Sequence, residues 1–319
     1  MQRFNKNNLI WLGLIILGFF AIKGAVATGL INNFHQITLV TVLINIIFAV
    51  GLNLVIGVAG QFSLGHAGFI ALGAYTTAVM TKEASDMGTF FLSMAVGIVL
   101  AMVVALIVGL PTLRLRGDYL AIATLGVGEI IRVVINNMRD ITNGPAGISG
   151  IPKVTNWELV YVLMVLSTVL IMNYVNSSQG RATYSILQDS IAAEAMGVNV
   201  TKYKVIPFVM GAATAAMGGS LLASYLGIVT PSDFSFTRSI DILIIVVFGG
   251  IGSFTGSFIA AIALGILNLV LMPYGQLRMI IYAIALILIM IFRPGGLLGM
   301  TEFRVSNFTK KKQASKEVR

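Results

Sequence analysis

The sequence predicts an all-α polytopic membrane protein with about eight to ten transmembrane helices, some of them interrupted by glycine. Hydrophobic residues make up 57% of the 319 residues and charged residues only 10%, whereas soluble domains are about one quarter charged. Ten apolar segments follow one another, most of them near the roughly 20 residues that a helix needs to cross a bilayer. The chain has no cysteine, which excludes disulfides and thiolate metal sites.

Short polar or glycine-rich stretches separate the ten apolar segments. The eighth and the ninth are short and rich in glycine, so we expect eight to ten full spans rather than one fixed number. The segments cover approximately residues 9–28, 38–57, 61–80, 90–110, 118–138, 158–175, 205–226, 239–251, 256–272 and 278–292.

The N-terminus has some features of a cleaved signal peptide. Arg3 and Lys6 precede the first apolar segment, and Ala25–Ala27 resembles a signal-peptidase site. A second apolar segment follows at once, so we expect the first to be retained as a span. The sequence therefore predicts one transmembrane domain over residues 1–304 and a basic tail over residues 305–319.

The distribution of basic residues predicts the orientation in the membrane. If the N-terminus is cytoplasmic and all ten segments cross, 14 of the 21 Lys and Arg residues are cytoplasmic. Such an excess is the usual bias of membrane proteins, so we expect both termini inside the cell. The six basic residues assigned to outer loops are Lys23, Lys82, Arg139, Lys153, Arg238 and Arg278.

No basic patch is interleaved with aromatic residues, so nucleic acid is not an expected partner.

A polar stretch, residues 180–204, interrupts the apolar chain, and we call it the polar loop. The predicted orientation places it in the cytoplasm. Ser185 and Gln188 have the spacing of a capping box, and Gly197 is a natural helix stop. Apolar residues at helical spacing with small neighbours favour a docking element over a helix lying on the lipid surface. The expected docking residues are Leu187, Ile191, Ala192, Ala193, Glu194, Ala195 and Gly197.

Two glycine-rich segments resemble each other. Residues 57–73 and 249–265 share the pattern G-x-x-G-x-F-[ST] and both end in A-L-G. In transporters, glycine-interrupted segments at corresponding positions point to a substrate path. Glycine also lets helices pack closely, and both interpretations stay open for the first segment. For the stripe of Gly211, Ala215 and Gly219 we favour packing.

Ionisable residues inside apolar segments are functional candidates because burying them in lipid is costly. Glu129 and Arg132 lie three residues apart, so they share a helix face and can form an ion pair. The pair has either a structural role or a place on the substrate path. His66 has the same two interpretations, as a packing residue or as a path residue. The candidate path residues are Gln61, Ser63, His66, Glu129, Gly249 and Gly252.

The motifs of several enzyme classes are missing from this sequence. There is no phosphate-binding loop of the G-x-x-x-x-G-K-[ST] type, so we expect no ATP hydrolysis by this chain itself. With two histidines and neither H-E-x-x-H nor G-x-S-x-G, metalloprotease and serine-hydrolase chemistry is also excluded. We therefore expect no cofactor and no enzymatic activity.

Several long stretches resemble the LivM-type permease subunits of bacterial branched-chain amino acid ABC importers, a type II-like importer class. These stretches are "GQFSLGHAGFIALGAYTTAV", "LRLRGDYLAIATLGVGEIIRVVINN", "ITNGPAGISGIP", "IAAEAMGVNV" and "FRPGGLLG". They occur in order and cover most of the chain from about residue 50 to about residue 300.

The resemblance implies a function and a set of partners. The partners are a second, LivH-like permease, two cytoplasmic ATPases and an extracytoplasmic binding protein in a bacterial cell membrane. The resemblance also implies that residues 180–204 are the coupling loop. Residues 191–197 match the two alanines and the glycine of the family pattern E-A-A-x-x-x-G, but the glutamate is displaced to Glu194. The expected cargo is leucine, isoleucine and valine. The alternatives are urea or short amides with the same fold, or a proton-coupled transporter that uses Glu129.

Overall fold

The computed structural model describes residues 6–29, 32–82, 86–115 and 117–274, together with isolated positions between 277 and 297. Within these residues the protein is almost entirely helical, as the sequence predicts. The α-helices are α1 Lys6–Ala27, α2 Asn33–Asn53, α3 His66–Thr81, α4 Met87–Thr112, α5 Asp118–Asn137, α6 Arg139–Thr142, α7 Trp157–Asn176, α8 Ser178–Gln188, α9 Ser190–Ala195, α10 Val200–Leu226, α11 Phe236–Gly249 and α12 Phe254–Leu271.

The helices agree with the predicted segments. Nine of the ten segments coincide with a helix. The tenth segment lies largely outside the described residues, and the basic tail lies wholly outside them. Among the described helices, five are long and apolar enough to cross a membrane. The helices α3 and α11 have 16 and 14 residues, which is less than a full span. The five span candidates are His35–Val58, Met87–Thr112, Trp157–Asn176, Val200–Leu226 and Phe254–Leu271.

Helix α10 lies at the centre of the bundle and packs against α2, α3 and α4. Its small residues make this possible, because a side chain at Gly219 would overlap the carbonyl of Ile70 in α3. A side chain at Gly211 would collide with Val55, and Ala215 is fully buried. Small residues let two helix backbones approach closely in a membrane protein. The packing interpretation of this stripe is confirmed.

Two breaks interrupt the bundle, and they are the two similar glycine-rich segments. Helix α2 ends in a π-helical turn, Leu54–Val58, and residues 59–65 are not helical. Helices α11 and α12 are separated by residues 250–253. The equivalent glycines, Gly60 and Gly252, have φ angles of 66° and 87°. Glycine reaches this left-handed region without a steric penalty.

Asn53 joins the two breaks, and we call its group of hydrogen bonds the Asn53 clamp. Its Nδ2 donates to the Ser253 carbonyl and the Ser257 hydroxyl, both at 2.9 Å. Its Oδ1 accepts from the Gly252 amide at 2.8 Å. Beside the clamp, a side chain at Gly57 would overlap the Gly252 backbone. The clamp gives the Gly252 amide, which lies outside any helix, a hydrogen-bond partner in an apolar interior.

The polar loop folds as two helices rather than one, which corrects the predicted capping box. The Ser185 hydroxyl donates to the Ala182 carbonyl within α8, so it does not cap a helix. The new helix starts at Asp189, whose Oδ1 accepts from the amides of Ile191 and Ala192 at 2.8 and 3.1 Å. Gly197 follows the end of α9 with φ of 83°, so the predicted stop is confirmed.

The end of α10 away from the polar loop leads into a short β pairing. The antiparallel strands are β1 Ile148–Ser149 and β2 Ile228–Val229, with Ile148 opposite Val229. Strand β2 follows directly on α10, whereas the polar loop precedes α10. The polar loop and the strands therefore mark opposite ends of α10.

We expect Asn53→Leu to destabilise the protein, because it removes the clamp while keeping a similar side-chain volume. Each buried polar group left without a partner costs on the order of 1–3 kcal/mol. The measurement is thermal unfolding of the purified protein in detergent. Asn137→Leu is the matched control, since the exposed Asn137 amide bonds only to Val133 of its own helix. Equal unfolding temperatures for the two variants would contradict the importance of the clamp.

Candidate functional site

The N-terminus of α3 is held by hydroxyl groups from two neighbouring helices. The amide of Leu64 donates to Thr124 Oγ1 of α5 at 3.1 Å. The amide of Ala67 donates to Ser239 Oγ of α11 at 3.0 Å. The first amides of a helix have no partner within the helix itself. The break before α3 is therefore fixed between α5 and α11.

A small crevice lies beside this helix start, between α5, α11 and the turn that precedes α11. Its walls are mainly apolar, with the Glu129 carboxylate and the Ser239 hydroxyl as polar groups. The lining residues are Leu64, Ala67, Leu125, Gly128, Glu129, Phe234, Phe236 and Ser239. The crevice volume of about 10 Å³ has room for about one water molecule in the isolated chain.

Glu129 and Arg132 form the ion pair that their spacing predicts. The Arg132 Nε and Nη2 atoms lie 2.8 and 2.7 Å from Glu129 Oε2. Both side chains are about one third exposed, at 31% for Arg132 and 32% for Glu129. The pair is therefore accessible from outside the chain, on the side of α5 that borders the crevice.

Helix α5 exposes a broad face that no other described element of this chain covers. Tyr119, Ile122 and Ile130 are 74%, 65% and 64% exposed. A side chain at Gly126 would meet only open space. The opposite face packs against α3, where Gly128 touches Gly65 and Gly68. Lipid or a second protein must cover the open face in the membrane.

Of the six candidate path residues, Glu129 lines the crevice. Gln61, Ser63 and His66 are 1%, 4% and 3% exposed. The His66 ring stands edge-on to Phe48, with 6.5 Å between the ring centroids, and its Nε2 has no hydrogen-bond partner among the described residues. These three residues lie within the packed interior of the isolated chain.

The two candidate glycines support the second break. A side chain at Gly249 would overlap the backbone of Gly256 in α12. Gly252 is partly exposed, and its amide belongs to the Asn53 clamp. Both residues let the chain turn between α11 and α12. Their contacts give them a backbone role in this break, and neither residue lines the crevice.

Arg238 is a residue that the sequence assigned to an outer loop and that the structure places in α11. Its Nη2 donates to Asn45 Oδ1 of α2 at 2.9 Å. Its guanidinium carbon lies 5.6 Å from the centroid of the Phe48 ring. A signal was present in the sequence, because Arg238 lies three residues before Asp241 at the start of an apolar run.

The polar loop exposes two large apolar side chains at its tip. Ile191 and Met196 are 71% and 84% exposed, and Met196 was not among the predicted docking residues. Ala193 is only 6% exposed, so it packs inside the chain and is corrected from a surface residue to an interior one. Leu187 is 36% exposed and contacts Gly60. The remaining predicted residues, Ala192, Glu194, Ala195 and Gly197, are exposed.

Within the described residues, no group of three or more His, Cys, Asp or Glu residues could hold a metal ion. The features that the structure does bring together are apolar spans, two pinned breaks, a crevice and an exposed loop. They define a multi-pass membrane protein.

Residues 34–292 match the family model described as branched-chain amino acid transport system / permease component. The match covers most of the chain, so the protein belongs to this family. No solved structure matches the chain.

The chain is similar to several named relatives. It is 35% identical over 293 residues to the high-affinity branched-chain amino acid transport system permease protein LivM of Escherichia coli K12, covering 81% of this chain and 68% of the relative. It is 26% identical over 288 residues to LivH of the same organism, covering 80% and 91%. A probable LivM of Methanocaldococcus jannaschii is 22% identical over 325 residues, covering 91% and 92%.

We expect Glu129→Gln to reduce uptake without a large loss of stability. A solvent-accessible ion pair contributes roughly 0–1 kcal/mol to folding, so unfolding should change little, whereas the crevice loses its negative charge. Glu158→Gln is the control, because its 49% exposed carboxylate also has a basic partner, Lys23, at 3.7 Å. The measurement is substrate uptake by vesicles with equal amounts of each variant. Equal uptake by both variants would reduce Glu129 to a structural role.

Proposed function

We propose that this chain is one permease subunit of an ATP-driven importer for the branched-chain amino acids leucine, isoleucine and valine. The observation that carries the proposal is the 35% identity to LivM over 81% of the chain. The transmembrane domain, residues 1–304, provides half of the translocation path in this proposal. The protein lies in the bacterial cell membrane, with the polar loop and both termini in the cytoplasm and the basic tail, residues 305–319, following the last span.

A second, LivH-like permease forms the other half of the path. The chain is similar to both LivM and LivH relatives, which supports a pair of related subunits. Ile122 and Ile130 are exposed on the open face of α5. This exposure supports the idea that the face borders the path or contacts the partner. The partner permease encloses the crevice between itself and α5.

In this proposal the crevice marks one wall of the path, because its volume of about 10 Å³ in the isolated chain is too small for an amino acid. Glu129 offers a negative charge for the α-ammonium group, and Leu125, Phe234 and Phe236 offer apolar contacts. Passage through a membrane requires that binding be weak enough for release. High affinity therefore belongs to a separate extracytoplasmic binding protein, which delivers the substrate at the end of α10 that carries the strands.

Two ATPase subunits supply the energy, one of them through the tip of the polar loop. Ile191 and Met196 are apolar and largely exposed, and burying such side chains in a partner is favourable. The chain has no phosphate-binding loop, so ATP must be bound and hydrolysed by another subunit. These two properties support the coupling role of residues 180–204 in this proposal.

The proton-coupled alternative has less support. A proton relay needs a carboxyl group that gains and loses a proton during transport. The Glu129 carboxylate is instead engaged by two nitrogen atoms of Arg132. The structure favours a fixed ion pair at the edge of the crevice.

The energy source can be tested with labelled leucine in proteoliposomes that contain the assembled complex and its binding protein. We expect uptake to require ATP on the side of the ATPases and to persist when a protonophore removes the proton gradient. Unlabelled isoleucine and valine should compete, and urea should not. Uptake that collapses with the protonophore at constant ATP would contradict the proposal, and transport of urea in place of leucine would contradict the cargo.

We expect Met196→Arg to lower the co-purification of the ATPase that docks on this chain, because a charge replaces the exposed apolar group at the docking tip. Ile228→Arg is the matched control, since Ile228 is 47% exposed on β2 at the other end of α10. The measurement is the amount of ATPase recovered with the affinity-tagged permease in detergent. ATPase recovery with Met196→Arg that equals the control would place the docking surface elsewhere.

A further inference from the structure

The polar loop touches the first break directly, through Leu187 and Gly60. A side chain at Gly60 would overlap the Leu187 Cδ1 atom. Gly60 also has φ of 66°, which disfavours any other residue there. The Leu187 side chain of α8 therefore rests on the bare backbone of the break.

Gln61, the next residue, makes a second connection to the same region. Its Nε2 donates to the Lys204 carbonyl at 2.8 Å, and Lys204 is both the last residue of the polar loop and part of α10. The backbone amide of Gln61 donates to the Val55 carbonyl at 3.0 Å. Gln61 thus ties the start of α10 to the π-helical turn at the end of α2.

The buried amide of Gln61 is only half satisfied. The side chain is 1% exposed, and its Oε1 has no hydrogen-bond partner among the described residues. With Nε2 bonded to the Lys204 carbonyl, Oε1 is the atom of this amide that is left without a donor. A buried acceptor without a donor is unfavourable, so a loop position that brings a donor to Oε1 would be stabilised.

The contacts continue from Gln61 to the second break. Val55 belongs to the same π-helical turn as Gly57, and Gly57 lies against Gly252. Asn53 holds that contact through its bond to the Gly252 amide. A displacement of the polar loop therefore reaches both breaks through neighbouring contacts.

We propose that Gln61 is a positioning residue that transmits movement of the polar loop to the two breaks, with Leu187 as the contact on the loop side. The inference rests on the proposed function, because the ATPases must move the loop. It assigns to Gln61 the coupling of ATP hydrolysis to transport rather than contact with the substrate.

The test is the number of leucine molecules transported per ATP hydrolysed by the assembled complex in proteoliposomes. We expect Gln61→Leu to retain ATPase co-purification and ATP hydrolysis while this ratio falls by roughly tenfold, because one buried hydrogen bond of the coupled arrangement is lost. Leu187→Ala, which removes the contact from the other side, should lower the ratio in the same direction. Gln188→Leu is the control, since it makes the same substitution at an exposed neighbour of Leu187 and should leave the ratio unchanged.

The outcomes separate the inference from the proposed function. If Gln61→Leu and Leu187→Ala transport as many leucine molecules per ATP as the wild type, the inference is overturned. This holds even if uptake and ATP hydrolysis both fall in the variants. If Gln61→Leu does not assemble, the ratio of Leu187→Ala decides. Wild-type uptake that needs no ATP would instead overturn the proposed function.

Discussion

The Asn53 clamp is the interaction on which the rest of the structure depends. A bilayer offers no water to the backbone, so a helix can be broken inside it only where protein satisfies the freed groups. Asn53, at the end of α2, accepts from the Gly252 amide and donates to the Ser253 carbonyl. One side chain thereby stabilises the second break and fixes it against the first, where Gly57 leaves room for the Gly252 backbone.

The first break connects the two ends of the proposed mechanism. On one side it places the start of α3 between Thr124 and Ser239, where the crevice with Glu129 lies. On the other side it meets the polar loop through Gly60 and Gln61. A permease must link a substrate path in the membrane to an energy source outside it, and here a few consecutive residues touch both regions.

The sequence predicts the features that depend on local pattern. Apolar runs predict the helices, and the spacing of Glu129 and Arg132 predicts their ion pair because neighbours on a helix face are close whatever the tertiary fold. The contacts of Gln61 with Lys204 and the burial of Ala193 depend on residues that are distant in sequence or on how α9 packs. The predicted eighth segment begins at residue 239 and so leaves Arg238 in a loop, whereas α11 begins at Phe236.

Amide hydrogen exchange at Gly252, measured in the assembled complex, tests most directly whether the two breaks are pinned together. The Gly252 amide donates to Asn53 Oδ1 at 2.8 Å, and hydrogen-bonded amides exchange slowly unless the structure opens locally. We expect slow exchange both without nucleotide and with ATP, although Gly252 lies outside any helix. Exchange as fast as that of the exposed residue Lys153 would show that the clamp is absent and would contradict the account.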